Sequence, residues 1–217
     1  MTNKQTESHE QPGRQTADSP HPALKLRHTL REHTHNVYRM ALSPDGRTLA
    51  SPSYDNTVWL WDVESGRALK TLEHQEGVIC VGWSPGGATL VAGMIDGKVY
   101  LWDAATGRQM RILEGHEGMV HGVAWSPDGT RLAYARPDGI GIVDLDSPAL
   151  EPTVDMTPYQ SLGDWAWVPG VAWGQDGRTL YVVDHWPPAG LEGPAAAPGF
   201  DLAAQPGRGG PGRKLAG

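Results

Sequence analysis

The octapeptide DNTVWLWD at 55–62 returns as DGKVYLWD at 96–103 and, one residue shorter, as DGIGIVD at 138–144. The Trp-Asp pairs that close the two full copies, Trp61-Asp62 and Trp102-Asp103, lie 41 residues apart, and Val143-Asp144 stands where a third would fall. The flanks repeat as well. Leucines at 30, 72 and 113 precede histidines at 33, 74 and 116, and each is followed by a valine, a Ser-Pro-x-Gly turn and an alternating run into the aspartate. A period near forty residues describes tandem structural units, each of which buries its apolar faces against its neighbours.

Within one period the pattern predicts four short strands. The first is VYRMAL (37–42), VICVGW (78–83), VHGVAW (120–125) and VPGVAW (168–173). Turns follow at 43–46, 84–87, 126–129 and 174–177, where glycine suits a positive φ. The second strands are TLAS, TLVAG, RLAYA and TLYVV, and hairpin signals at Asp55-Asn56, Asp96-Gly97 and Asp138-Gly139 lead to the third, Trp-bearing strands. RALKTL (67–72) and RQMRIL (108–113) supply the fourth, and ALKLRHTL (23–30) alternates in the same way ahead of the first unit. No helical period interrupts this, so the expected class is all-β, with four-stranded antiparallel sheets.

Over residues 24–145 these repeats resemble the WD40 family, whose unit is one blade of a β-propeller. The resemblance implies about four blades in an open or partial ring. Blades one to three would span 23–145, a connector with room for one strand 146–167, and a degenerate fourth blade 168–217 with a Pro/Gly-rich insertion at 185–199. The tail at 200–217 reads either as low complexity or, through FDLAAQ and the terminal RKL, as similar to the final hairpin of a TolB-type blade. If RKL completes it, the strand at 23–30, which such rings use for closure, is left without a place, so a partial ring or completion by another copy is expected. Residues 1–22, polar and proline-punctuated, are expected to be disordered.

The resemblance also implies a hydrogen-bonded set in each blade. It would comprise His33, Ser51 or Ser53, Asp55 and Trp61 in blade one. Blade two would have His74, Asp96 and Trp102, with Ala92 and Met94 replacing the hydroxyls. Blade three would keep His116 and Asp138 and lose the Trp to Val143. At roughly 1 kcal/mol net per lost bond, stability is expected to fall from blade one to blade three. The loops that carry partner contacts in this family place Asn36, Tyr38, Tyr54, Ile79, Ile95, Met119 and His121 on one face, the alternative being that half of them plug the central channel, and Trp165, Trp167 and Trp186 either extend the patch or pack beneath the connector.

The remaining signals exclude more than they offer. A net charge of −7 without a basic run argues against a nucleic-acid partner. Cys80 cannot pair within the chain and is expected to be a buried thiol. No apolar run approaches 18 residues and the first 22 are polar, so neither a spanning helix nor a signal peptide is expected, and the expected location is cytoplasmic. Gly82-Trp83-Ser84-Pro85-Gly86 matches a hydrolase elbow but is followed by a strand rather than a helix. The G-x-G-x-x-G at 207–212 contains Pro211 and opens no helix. His33, His35, His116 and His121 lack the further converging ligands that zinc needs. The expectation is therefore a non-catalytic scaffold without metal or cofactor, binding a protein or peptide and capable of self-association through open blade edges. The alternatives are an accessory propeller for a separate enzyme, or a remnant of a larger propeller.

Overall fold

The computed structural model of the chain describes residues 25–114, 118–137, 139–147, 152–156, 170–183 and 200–201. Each period folds into one antiparallel sheet with its strands in sequence order. Blade one holds β1 (Ala41–Leu42), β2 (Thr48–Pro52), β3 (Thr57–Asp62) and β4 (Ala68–Glu73). Blade two holds β5 (Val78–Trp83), β6 (Thr89–Met94), β7 (Val99–Asp103) and β8 (Arg108–Leu113). Blade three holds β9 (Gly122–Trp125), β10 (Arg131–Arg136), β11 (Gly139–Asp144) and β12 (Pro152–Met156). Blade four has β13 (Gly170–Trp173), β14 (Thr179–Val183) and β15 (Phe200–Asp201). Among the described residues the four sheets remain separate and are not closed on one another. No helix occurs among the described residues, and none long and apolar enough to cross a membrane.

Two boundaries differ from the sequence expectation. The first strand of blade one is paired only at Ala41–Leu42, with isolated bridges Val37↔Ser53 and Arg39↔Cys80 above it. Pro52 is the cause: its carbonyl accepts from the Tyr38 N–H at 3.0 Å, but proline has no N–H to return. The alternating stretch at 23–30 carries no strand over 25–30, and Leu26 is 62% exposed. Alternation encodes a two-faced ribbon, but it does not supply the edge that a strand must pair with. The connector 146–167, in which the sequence leaves room for one strand, contains β12, the outer strand of blade three. β15 pairs with β14, so residues 184–199 separate the second and third strands of blade four in sequence. The polar lead at 1–22, the insertion at 185–199, the terminal RKL and Trp165, Trp167 and Trp186 lie outside the described residues.

Packing follows the period-two alternation of each sheet. Val58, Leu60 and Leu72 of blade one meet Val81, Leu90, Tyr100 and Trp102 of blade two. Val91, Val99 and Leu113 on the opposite face of blade two meet Val120, Leu132 and Tyr134 of blade three, whose Ala133, Ile140 and Ile142 meet Leu180 and Val182 of blade four. One tryptophan per junction adds a directional bond. Trp83 Nε1–H donates to the Ala41 carbonyl at 3.1 Å, Trp125 to Gly82 at 3.3 Å and Trp173 to Ala124 at 3.1 Å. Leu42 occupies that slot in blade one.

Candidate functional site: the histidine networks and the loop face

In blade one, a hairpin turn and two strands bring a histidine, a serine, an aspartate and a tryptophan into one chain of bonds. Trp61 Nε1–H donates to Ser51 Oγ at 2.8 Å, Ser51 Oγ lies 2.8 Å from His33 Nε2, and His33 Nδ1 lies 2.8 Å from Asp55 Oδ2. With the proton on Nδ1, every member is satisfied: the serine hydroxyl donates to Nε2 and the imidazole donates to the carboxylate. Desolvation alone would raise the Asp55 carboxyl. Bonds from Thr57, His33 and the Thr34 N–H outweigh it and hold the group at about 2. The turn that aims this aspartate needs a left-handed residue, supplied by Asn56 (φ 66) here and by Gly97 (φ 87) in blade two. Ser53 is outside the network; its hydroxyl accepts the Asp55 N–H at 3.1 Å.

Blade two solves the same problem without a hydroxyl. His74 Nε2 accepts directly from Trp102 Nε1 at 3.0 Å, and Nδ1 donates to the Leu72 carbonyl at 3.2 Å. Burial pulls this imidazole down to about 4, against the opposing effect of its backbone partners. Asp96 is not part of the arrangement: its carboxylate pairs with Lys98 at 2.7 Å, a residue that replaces the Thr57 of blade one. In blade three, His116 and Asp138 lie outside the described residues. What fills the blade is Tyr134, fully buried, in register with Gly141 across the β10–β11 ladder. Tyr134 stands at the Ser51 position and Gly141 at the Trp59 position, so a ring from one strand takes the volume vacated on the next. A Cβ on residue 141 would collide with that ring. The sequence signal was present, a tyrosine opposite a glycine, but single-strand pattern reading does not see cross-strand volume.

On the loop face, the rings of Tyr38 and His35 each lie 5.6 Å from Tyr54, making a three-ring cluster with Tyr38 38% exposed. Asn36 ties the two loops together: its carbonyl accepts the Tyr54 N–H at 3.0 Å. Gly77 packs beneath the Tyr54 ring. Met119 is 40% exposed, and Ile95 is half-buried, its N–H bound to the Gly77 carbonyl. Ile79 and His121, expected on this face, are buried instead. The inner strands draw together around Arg39, which bridges to Cys80 and donates to the His121 carbonyl at 3.3 Å. Burial and then the Arg39 charge lower the His121 pKa. In the sequence His35 offers only a metal-ligand reading; in the fold its ring turns to Tyr54 while His33 turns inward. Among the described residues no three His, Cys, Asp or Glu side chains converge to hold a metal.

A family model described as WD domain, G-beta repeat, matches residues 24–62, 66–103 and 107–139, about half of the chain. The chain belongs to the WD40 family. Its curated relatives include the small ribosomal subunit protein RACK1y of Oryza sativa subsp. japonica, 37% identical over 162 residues, which is 73% of this chain and 34% of that protein. RACK1z of Arabidopsis thaliana is 49% identical over 49 residues, 23% of this chain and 15% of that protein. Protein Mut11 of Chlamydomonas reinhardtii is 42% identical over 57 residues, 25% of this chain and 15% of that protein. This WD40 chain therefore spans about a third or less of the length of these relatives.

Proposed function

We propose that this chain is a non-catalytic protein-interaction scaffold of the WD40 type, acting in the cytoplasm. Its partner would contact the loop face through Asn36, Tyr38, Tyr54 and Met119, with His35 added and Ile95 at the margin. The observation that carries this reading is the exposed three-ring cluster of Tyr38, Tyr54 and His35. Rigid aromatic rings held by backbone bonds present apolar area at low entropic cost, as protein interfaces favour. The RACK1 relatives carry the small ribosomal subunit in their names, which makes that particle the first partner to test. The test is cosedimentation of the purified chain with purified small subunits. Tyr38→Ala with Tyr54→Ala should reduce pelleting about tenfold, as loss of two interface aromatics does elsewhere. Equal pelleting by the double variant would reject the face.

Self-association is a second reading with its own observation. Met40 is 58% exposed and Leu42 53%, whereas their counterparts in blade two, Val81 and Trp83, are covered by blade one. Light-scattering mass of the chain should exceed that of a monomer and return to it in Met40→Lys with Leu42→Lys. A monomeric parent chain would end this second reading without touching the first.

A further inference from the structure

A cavity of about 670 Å³ opens between blades one and two, with Thr48, Asp45, Trp83 and Gly87 on its wall. The junction between blades three and four carries the same four positions, and there they are filled. In each blade the turn serine or glycine N–H bonds the carbonyl of the residue five places on, which aligns Thr48, Thr89, Arg131 and Thr179. Arg131 extends from blade three into blade four: its guanidinium lies 4.6 Å from the centre of the Trp173 ring and donates to the Gly177 carbonyl at 2.5 Å. The Asp128 carboxylate beside it is held at about 2, chiefly by its bonds to Ser126 and Thr130, with the Arg131 charge adding to them. Guanidinium, indole and turn carbonyl are thus in contact within this chain, with the carboxylate near enough to feel the charge.

Between blades one and two the set lacks the guanidinium, since Thr48 stands at the Arg131 position, and the Arg47 charge adds only weakly to the bonds that hold Asp45 low. Thr48 is too short to reach the Trp83 ring or the Gly87 carbonyl, and the cavity occupies the volume that an arginine takes at the other junction. Asp45 Oδ1 accepts from Ser43 Oγ at 2.6 Å and from the Arg47 N–H at 3.0 Å, while Oδ2 has no partner among the described residues. Lys70, the cation on the wall, is already committed, its ammonium donating to the Ala105 carbonyl at 2.8 Å. The remaining junction does not qualify, because Gly86 replaces the aspartate there. We infer that the cleft between blades one and two binds an arginine side chain of a partner polypeptide, the guanidinium lying over Trp83, donating to the Gly87 carbonyl and paired with Asp45. A planar cation with several donors suits an indole face and a carbonyl together, which a lysine ammonium matches less well. This site is separate from the loop face, and neither requires the other.

The probe is N-acetyl-arginine methylamide, titrated into the full chain while the Trp83 indole N–H, assigned through Trp83→Phe, is followed by nuclear magnetic resonance. A saturable shift at about millimolar concentration is expected, with the lysine analogue at least about fivefold weaker. Asp45→Asn should weaken binding about fivefold. Thr48→Arg, which recreates the Arg131 arrangement within the chain, should abolish it. Absence of a saturable Trp83 shift, equal binding of the lysine analogue, or undiminished binding in Thr48→Arg would each overturn the inference. Should Thr48→Arg fail to fold, Asp45→Asn decides: unchanged affinity there refutes the site.

Discussion

Ser51 is the pivot of the blade-one network because its hydroxyl both accepts and donates, linking Trp61 to His33. Removing it leaves a buried indole N–H without its acceptor and takes the hydroxyl from His33 Nε2, whose remaining neighbour is the Ser51 carbonyl at 3.1 Å. Ser51→Ala should therefore cost about 2 kcal/mol rather than the ~1 kcal/mol of an ordinary bond, read as a lower denaturant midpoint at unchanged slope. Alanine already occupies this position in blade two without such a cost, because His74 bonds its tryptophan directly. If Ser51→Ala is neutral, His33 has swung to make the same direct contact, and a His33/Trp61 double-mutant cycle would show it. His74 itself gives the chain an acid dependence of definite sign. Its folded pKa of about 4 lies below the ordinary 6.5, so the unfolded chain binds the proton first. Stability is complete above about pH 6.5 and declines as pH falls toward 4, by roughly 3 kcal/mol for a shift of this size. Asp55 adds a further loss only as pH falls from about 4 toward 2. Between pH 7 and 5, His74→Gln should flatten the dependence of the urea midpoint; an unaltered slope would assign it elsewhere.

At the scale of strands, what the sequence made legible was whatever the repeat multiplies. Every turn, the antiparallel order within blades and the Trp61 and Trp102 slots follow from patterns present two or more times, and each copy checks the others. What was not legible depends on one residue acting on another strand. Pro52 shortens β1 by withholding a donor from a neighbour fourteen residues away from it in sequence at Tyr38. Pattern reading places both residues in strands and does not see the missing bond. Likewise the third blade reads as damaged, having lost its tryptophan to Val143, until Tyr134 is set opposite Gly141. That pairing is itself testable. Gly141→Val should cost about 3 kcal/mol or more by overpacking against the ring, and Tyr134→Ala in the same chain should relieve part of the cost, giving a strongly non-additive thermal-melt cycle. Additive effects would mean that ring and glycine do not share one space. The alternation at 23–30 was misleading for a related reason, since a two-faced pattern specifies faces and leaves partners open.

Across the blades, two contributions point in opposite directions, and their sizes decide between them. Blade one has the full histidine–serine–tryptophan network, which by hydrogen bonds alone would make it the most stable unit. It also has a first strand paired over two residues and leaves Met40 and Leu42 more than half exposed. Blades two and three are covered by packed neighbours on both faces, with Leu90, Val91, Leu132 and Tyr134 fully buried. Each large apolar side chain brought from water to the interior contributes about 1.5–3 kcal/mol, against about 1 kcal/mol for a hydrogen bond. In an array whose units contact only their neighbours, the doubly covered members are the most protected. Native-state amide exchange should accordingly be slowest in β6, β7 and β10, faster in β2 and β3, and fastest in the partly paired β1. Destabilising Trp61 by Phe should accelerate exchange in β2 and β3 with little effect on β10, because among the described residues no apolar cluster joins blades one and three. The opposite order, with β2 and β3 most protected, would mean that the buried polar network outweighs the coverage of a sheet face.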